Sequence, residues 1–304
     1  MPTTSGQPAP RRIPFISATT GGTIFAPAST IDGAVGGETL TVAAGTGQVT
    51  FNGAVGSSKP LGNLLVTSTG ATGVTFAQAV TLAPANSLTV TNGGAVLVQG
   101  TTVVPGGFSS TGSGLFQNTG SITTTGTALT VSHTGLVRID AALSSGTGAV
   151  ALDSTAGVAI TAPGTITTTT GTVSIGQTLT GALTTAGNIT SAGGAVRWYQ
   201  NATLTGAISV TTGGGAFTAS GTTTGANYLL TLNTGTAGLA TFTGAVDNLP
   251  FTLVQSNGLA AASTWGATTP RAVTITDTQA TKSVTFAGAQ TNITTLTTSA
   301  GTGA

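Results

Sequence analysis

Apolar and polar residues alternate in short runs along almost the whole chain. Leu88-Thr89-Val90, Ala128-Leu129-Thr130-Val131, Val158-Ala159-Ile160, Val173-Ser174-Ile175, Ala207-Ile208-Ser209-Val210 and Val273-Thr274-Ile275 all follow the pattern, as does Leu64-Leu65-Val66 more loosely. A period of two is the signature of strands with one buried face. Gly, Asn-Gly pairs (Asn52-Gly53, Asn92-Gly93, Asn257-Gly258) and Pro separate the runs, and these residues accept the backbone angles of tight corners. No stretch shows apolar residues at helical spacing. The prediction is an all-β chain of strands three to six residues long.

The runs repeat. Val49-Thr50-Phe51 recurs as Val74-Thr75-Phe76, Ala240-Thr241-Phe242 and Val284-Thr285-Phe286. The interval from Phe51 to Phe76 is roughly 25 residues and that from Phe242 to Phe286 two turns of roughly 22, a period that marks a solenoid or array. Asn-Gly also marks antiparallel hairpins, so a sandwich or barrel is the competing architecture. The recurring spacing favours a parallel β-helix of about a dozen rungs, each roughly 22–25 residues long and ~4.8 Å thick. Residues 1–20 carry Pro2, Pro8, Pro10 and Pro14, which oppose ladder pairing. They are read as an extended arm, and 21–304 as the solenoid.

Composition sharpens this picture. Only 4% of residues are charged, against 39% hydrophobic, the formal net charge is +1, and mean hydropathy is +0.37. Disordered chains combine low hydropathy with high net charge, so order is expected. In a solenoid, equivalent side chains lie one strand spacing apart, and two like charges at that distance repel by about 1 kcal/mol even in water. Thr and Asn ladders carry no such cost. Seven basic residues scattered over the chain make no stripe for nucleic acid. No apolar run reaches the length of a membrane helix. With no cysteine there is neither a disulfide framework nor a thiolate metal site. Arg11-Arg12 is not followed by the apolar segment of a secretory signal, so the export route is open.

The phrase Gly47-Gln48-Val49-Thr50-Phe51-Asn52-Gly53-Ala54-Val55-Gly56, followed by Leu61-Gly62-Asn63-Leu64-Leu65-Val66, resembles the repeats of filamentous-haemagglutinin-like and autotransporter-associated bacterial surface proteins. The likeness extends over most of 40–304. It implies a right-handed parallel β-helix, secretion to the cell surface, and a role in adhesion or surface fibres.

Little chemistry is visible. The acids are Asp32, Glu38, Asp140, Asp153, Asp247 and Asp277. A polysaccharide-active enzyme would need two carboxylates at a set separation. Arg138 and Asp140 share a strand face and read as an exposed ion pair. Asp153 follows Asp140 by less than a full rung. His133, the sole histidine, has neither the companions for a metal site nor an obvious nucleophile. No cofactor is expected. Arg197-Trp198-Tyr199 could offer a sugar an aromatic platform, or could fill a core irregularity. The Thr runs at 122–125 and 166–170 raise ice binding, which needs Thr-x-Thr in register on consecutive rungs; their spacing in sequence is irregular.

Gly301-Thr302-Gly303-Ala304 matches Gly146-Thr147-Gly148-Ala149, which leads into Val150-Ala151-Leu152. The chain is thus expected to stop where a strand should start, either as a segment of a longer repeat array or as a subunit that stacks head-to-tail. Ile13, Phe15 and Ile16 at one end, with Ile293 and Leu296 at the other, are the candidate contact residues. The expected function is a non-catalytic subunit of an extracellular or cell-surface fibre or adhesin stalk; the alternative is a carbohydrate- or surface-binding adhesin module.

Overall fold

A computed structural model describes residues 16–17, 23–25, 30–34, 36–262, 264–266, 271–276, 284–289 and 293–298. All described secondary structure is β. Each coil of chain contributes one short strand to each of three sheets, so that strands of one sheet alternate in sequence with strands of the other two. The first sheet begins with Ile16–Ser17 and Leu40–Ala43, the second with Thr23–Phe25 and Val49–Phe51, the third with Val80–Thr81 and Thr102–Val103. The sheets hold 13, 11 and 11 strands, which sets the solenoid at about 11 turns. Among the described residues every strand pair is parallel, from Leu40 on Leu64 to Val273 on Leu296. The Asn-Gly pairs therefore turn corners between sheets rather than closing hairpins.

The coils are less uniform than the sequence period suggests. In-register partners are much closer along the chain at Ala240 and Leu259 than at Ile16 and Val42. Phe242 and Phe286 are two turns apart, as their spacing suggests, but the turns are unequal, with Ala261 between the two rings. The recurring Val-Thr-Phe phrase also changes sheet: 49–51 and 74–76 belong to the second sheet, 240–242 and 284–286 to the first. Pairing of Ile16–Ser17 with Val42–Ala43 carries the first sheet's ladder into the segment expected to be an arm. Ile13 and Phe15 lie outside the described residues.

Alternation along each strand puts one set of side chains inside. Val, Leu, Ile and Phe fill a single continuous core, with Leu64, Leu88, Phe116, Leu129, Val150, Val173 and Val196 fully buried. In the later coils of the first sheet, large residues alternate with small ones along the axis. Trp198 stacks on Ala219, which precedes Phe242, then Ala261, then Phe286. The room left by each alanine lets neighbouring rings meet edge to face: Trp198 with Phe217 at 4.9 Å, and Trp265 with Phe242 at 5.3 Å and Phe286 at 5.4 Å. Such interlocking is what close packing of a core demands.

Two corners carry buried polar columns. Between the third and first sheets stand Thr124, Ser145, Thr168, Ser191, Thr212, Thr234 and Ser256, all nearly or fully buried. Most of their hydroxyls donate to a carbonyl at the end of their own turn, as Ser145 does to Gly148 (2.8 Å) and Thr168 to Gly171 (2.7 Å); the Ser191 hydroxyl instead accepts from the Gly194 N–H (2.7 Å). These bonds satisfy backbone groups that would each cost about 1–3 kcal/mol if buried unpaired. Gly148, Gly171, Gly194, Gly215 and Gly238 form the matching column. A Cβ on any of the last four would collide with the carbonyl of the glycine one coil before. The Gly-Thr-Gly punctuation at 146–148 is one turn of this corner.

Candidate functional site

The few charged side chains of the described strands are spaced so that none meets its like on the next coil. Arg138 stacks between Gln117 and Ala159, Arg197 between Ser174 and Thr218, and Asp247 follows Thr224. Arg138 Nε donates to Asp140 Oδ2 at 2.7 Å, with the Arg138 side chain half exposed. Asp140 also accepts from Gln117 Nε2 and, at 2.8 Å, from Thr161 Oγ1. Burial pushes the Asp140 carboxyl up, but the hydrogen bonds from Arg138, Gln117 and Thr161 outweigh it and hold the group below its ordinary value. This is a carboxylate fully engaged across three rungs. Asp153 lies on the first sheet beside Ser132 and accepts from the backbone N–H of Thr178, at 2.9 Å. The two acids do not face one another, so they do not form the carboxylate pair that glycoside hydrolysis uses.

His133 has the company that sequence spacing hides. Its Nε2 accepts from the Ser110 hydroxyl at 2.9 Å, while Nδ1 donates to the Gly114 carbonyl at 2.9 Å. Because a carbonyl only accepts, this arrangement selects the Nδ1–H tautomer. A serine hydroxyl bonded to an imidazole is the geometry of an activated nucleophile, yet both side chains have no exposed surface. Burial lowers the His133 pKa, and the Gly114 bond only partly offsets it. The pair instead belongs to the second polar corner, where Ser68, Asn92, His133 and Ser154 stack in register with Gly112 between Asn92 and His133. Each clasps a backbone carbonyl of the adjoining turn, as Ser154 does Gly135 and Asn92 does Ala95. Gly112 has no side chain because a Cβ there would press on the imidazole and on the Asn92 carbonyl.

The Arg197-Trp198-Tyr199 platform is corrected by alternation itself. Trp198 points inward and is fully buried, Arg197 points outward, and Tyr199 is half-buried at the corner. The indole is not available to a sugar; it fills the core beside Phe217, the second of the two roles the sequence allows. Of the terminal contact residues, Ile293 packs against the core and Leu296 is 51% exposed, although its register partner Val273 is fully buried.

The Thr runs are also rearranged by the fold. Thr123, Ser144, Thr167, Thr190 and Thr211 are successive register partners on the outer face of the third sheet. Their uneven spacing in sequence is absorbed at the corners. Among the described residues no cluster of three or more His, Asp or Glu could hold a metal ion, and no helix is long and apolar enough to cross a membrane. No family model, curated protein or solved structure matches the chain.

Proposed function

We propose that the protein is a structural element of an extracellular or cell-surface fibre or adhesin stalk, able to join end to end with copies of itself or with further repeats. The observation that carries this reading is the unbroken three-sheet parallel ladder, with one apolar core inside and an almost uncharged hydroxyl-rich exterior. Such a stack resists bending because every coil is bonded to the next along all three sheets, and it can be lengthened without changing its design. At ~4.8 Å per coil, about 11 coils give a rod about 50 Å long. Leu296, at a core register position yet half exposed, is the kind of apolar surface that a further coil would cover. The resemblance to bacterial surface-fibre repeats points the same way.

Electron microscopy and sedimentation of the purified chain over a wide concentration range test the reading. Rods that lengthen with concentration, and lose that tendency in Leu296→Glu, are expected. A compact particle, or a rod that stays monomeric at the highest concentration, would remove the end-to-end role. Antibody labelling of intact source cells tests the location, and staining confined to permeabilised cells would remove the surface assignment.

A further inference from the structure

The corner that joins Thr223–Thr224 of the second sheet to Leu230–Asn233 of the third is built unlike its neighbours. It takes residues 225–229, against 204–207 on the coil before and 248–250 on the coil after. The surplus stands out from the stack, and Ala226, Asn227, Tyr228 and Leu229 are exposed in succession. Ala226 and Asn227 hold left-handed φ angles of 46° and 71°, and Asn248 on the next coil holds 49°. That conformation is costly for alanine, and such outliers gather at ligand sites. The strained loop is nonetheless fixed. Gly225 N–H donates to Asp247 O at 3.0 Å, Asn227 N–H to Asn248 O at 3.1 Å, and Tyr228 N–H to Gly225 O at 2.7 Å. A Cβ on Gly225 would strike the Asn248 carbonyl, so the corner sits directly on the next coil.

We propose that this corner binds a neutral saccharide, with Tyr228 as the platform, a role that burial denies to Trp198. Tyr228 is 44% exposed, whereas Phe217, Phe242, Phe251, Trp198 and Trp265 of the same region are buried. A pyranose offers C–H groups on one face and hydroxyls around its rim. The face of the Tyr228 ring suits the first. Amides suit the second, since each both donates and accepts. Asn227 is exposed next to Tyr228 in the chain, and Asn248 keeps its amide oxygen without a hydrogen-bond partner. That oxygen is not committed to the fold, so the Asn248 side chain can turn outward to a hydroxyl. Residues 225–229 carry no charge, which favours a neutral ligand over a phosphorylated or sulfated one. Because the loop is pinned, little conformational freedom is lost on binding. A protein interface draws on many side chains, more than Tyr228 and Leu229 supply.

The test uses the full chain on an array of neutral and anionic oligosaccharides, with calorimetric titration of the strongest neutral binder. Four proteins are compared: the wild type, Tyr228→Ala, Tyr228→Phe, and Thr184→Ala at an exposed position on the second sheet. Folding of each is checked by circular dichroism and thermal midpoint. Binding of a neutral glycan by the wild type is expected, weakened about tenfold in Tyr228→Ala and kept in Tyr228→Phe and Thr184→Ala. A folded wild type that holds no neutral glycan, or holds anionic glycans alone, overturns the proposal. So does full binding in Tyr228→Ala, or equal loss in Tyr228→Phe, since the ring face is what is invoked. The saccharide site does not depend on end-to-end assembly, and electron microscopy of the same variants keeps the two apart.

Discussion

Phe51 and Phe76, a whole coil apart in sequence, stack in the core with ring centroids 4.9 Å apart and planes 5° from parallel. The centroid distance is the strand spacing of a parallel sheet. The ladder imposes it: Phe51 and Phe76 are register partners on adjacent strands of the second sheet, so their rings meet face to face although aromatic pairs in isolation prefer an offset or an edge. A sequence repeat and a spatial repeat are here the same object.

Truncating one of these rings tests how tightly that repeat is packed. Phe76→Ala is expected to cost about 3–5 kcal/mol, since the rigid coils above and below cannot collapse into the space. Thr75→Ala, on the outer face of the same strand, should change stability far less. Denaturant unfolding of the two variants makes the comparison. A small loss in Phe76→Ala would mean that the core is looser than its interlocked rings indicate.

The glycine column at the corner between the third and first sheets has its own signature. Gly194→Ala places a Cβ against the Gly171 carbonyl of the preceding coil. The expected loss is about 1–3 kcal/mol, the usual cost of overpacking, with a local loss of hydrogen-exchange protection around 171–194. Gly126→Ala, where the nearest atom to a new Cβ is the Thr147 hydroxyl at 3.7 Å, should be tolerated. Equal effects at both positions would contradict the column.

His133 makes stability depend on pH in a definite direction. Its folded-state pKa lies below the ordinary value of 6.5 because burial disfavours the charged ring. The unfolded chain therefore takes up a proton first as pH falls. The contribution is complete above about pH 6.5 and declines as acid is added below it, because the unfolded state then binds more protons. Urea midpoints measured from neutral to mildly acidic pH should fall in the wild type. In His133→Gln that slope should flatten, since no other histidine is present. An unchanged slope would show that the Ser110–His133–Gly114 clasp is not what titrates.

Trp198 and Arg197 should separate packing from surface contact. Trp198→Ala is expected to lower stability by about 3–5 kcal/mol through the hole left beside Phe217 and Ala219. Arg197→Ala should leave the thermal midpoint nearly unchanged. Thermal melts of both variants check this, and near-native stability in Trp198→Ala would argue that the indole is not in the core.

Local sequence determined the strands, their inner and outer faces, and the all-β character of the described residues. Each depends only on alternation within a short run and on Gly or Asn at the corners. The uncharged exterior also followed directly, because neighbours along the axis are equivalent whatever the exact register. What tertiary structure alone decided is which side chains meet between coils. With turns of unequal length, no single period predicts that Ser110 reaches His133, or that Thr123, Ser144, Thr167, Thr190 and Thr211 form one column. Corners absorb the extra residues, and the hydrogen-bonded ladder restores the alignment. Adjacent residues such as Arg197 and Trp198, which look like one platform in sequence, are parted because a strand sends neighbours to opposite sides of its sheet.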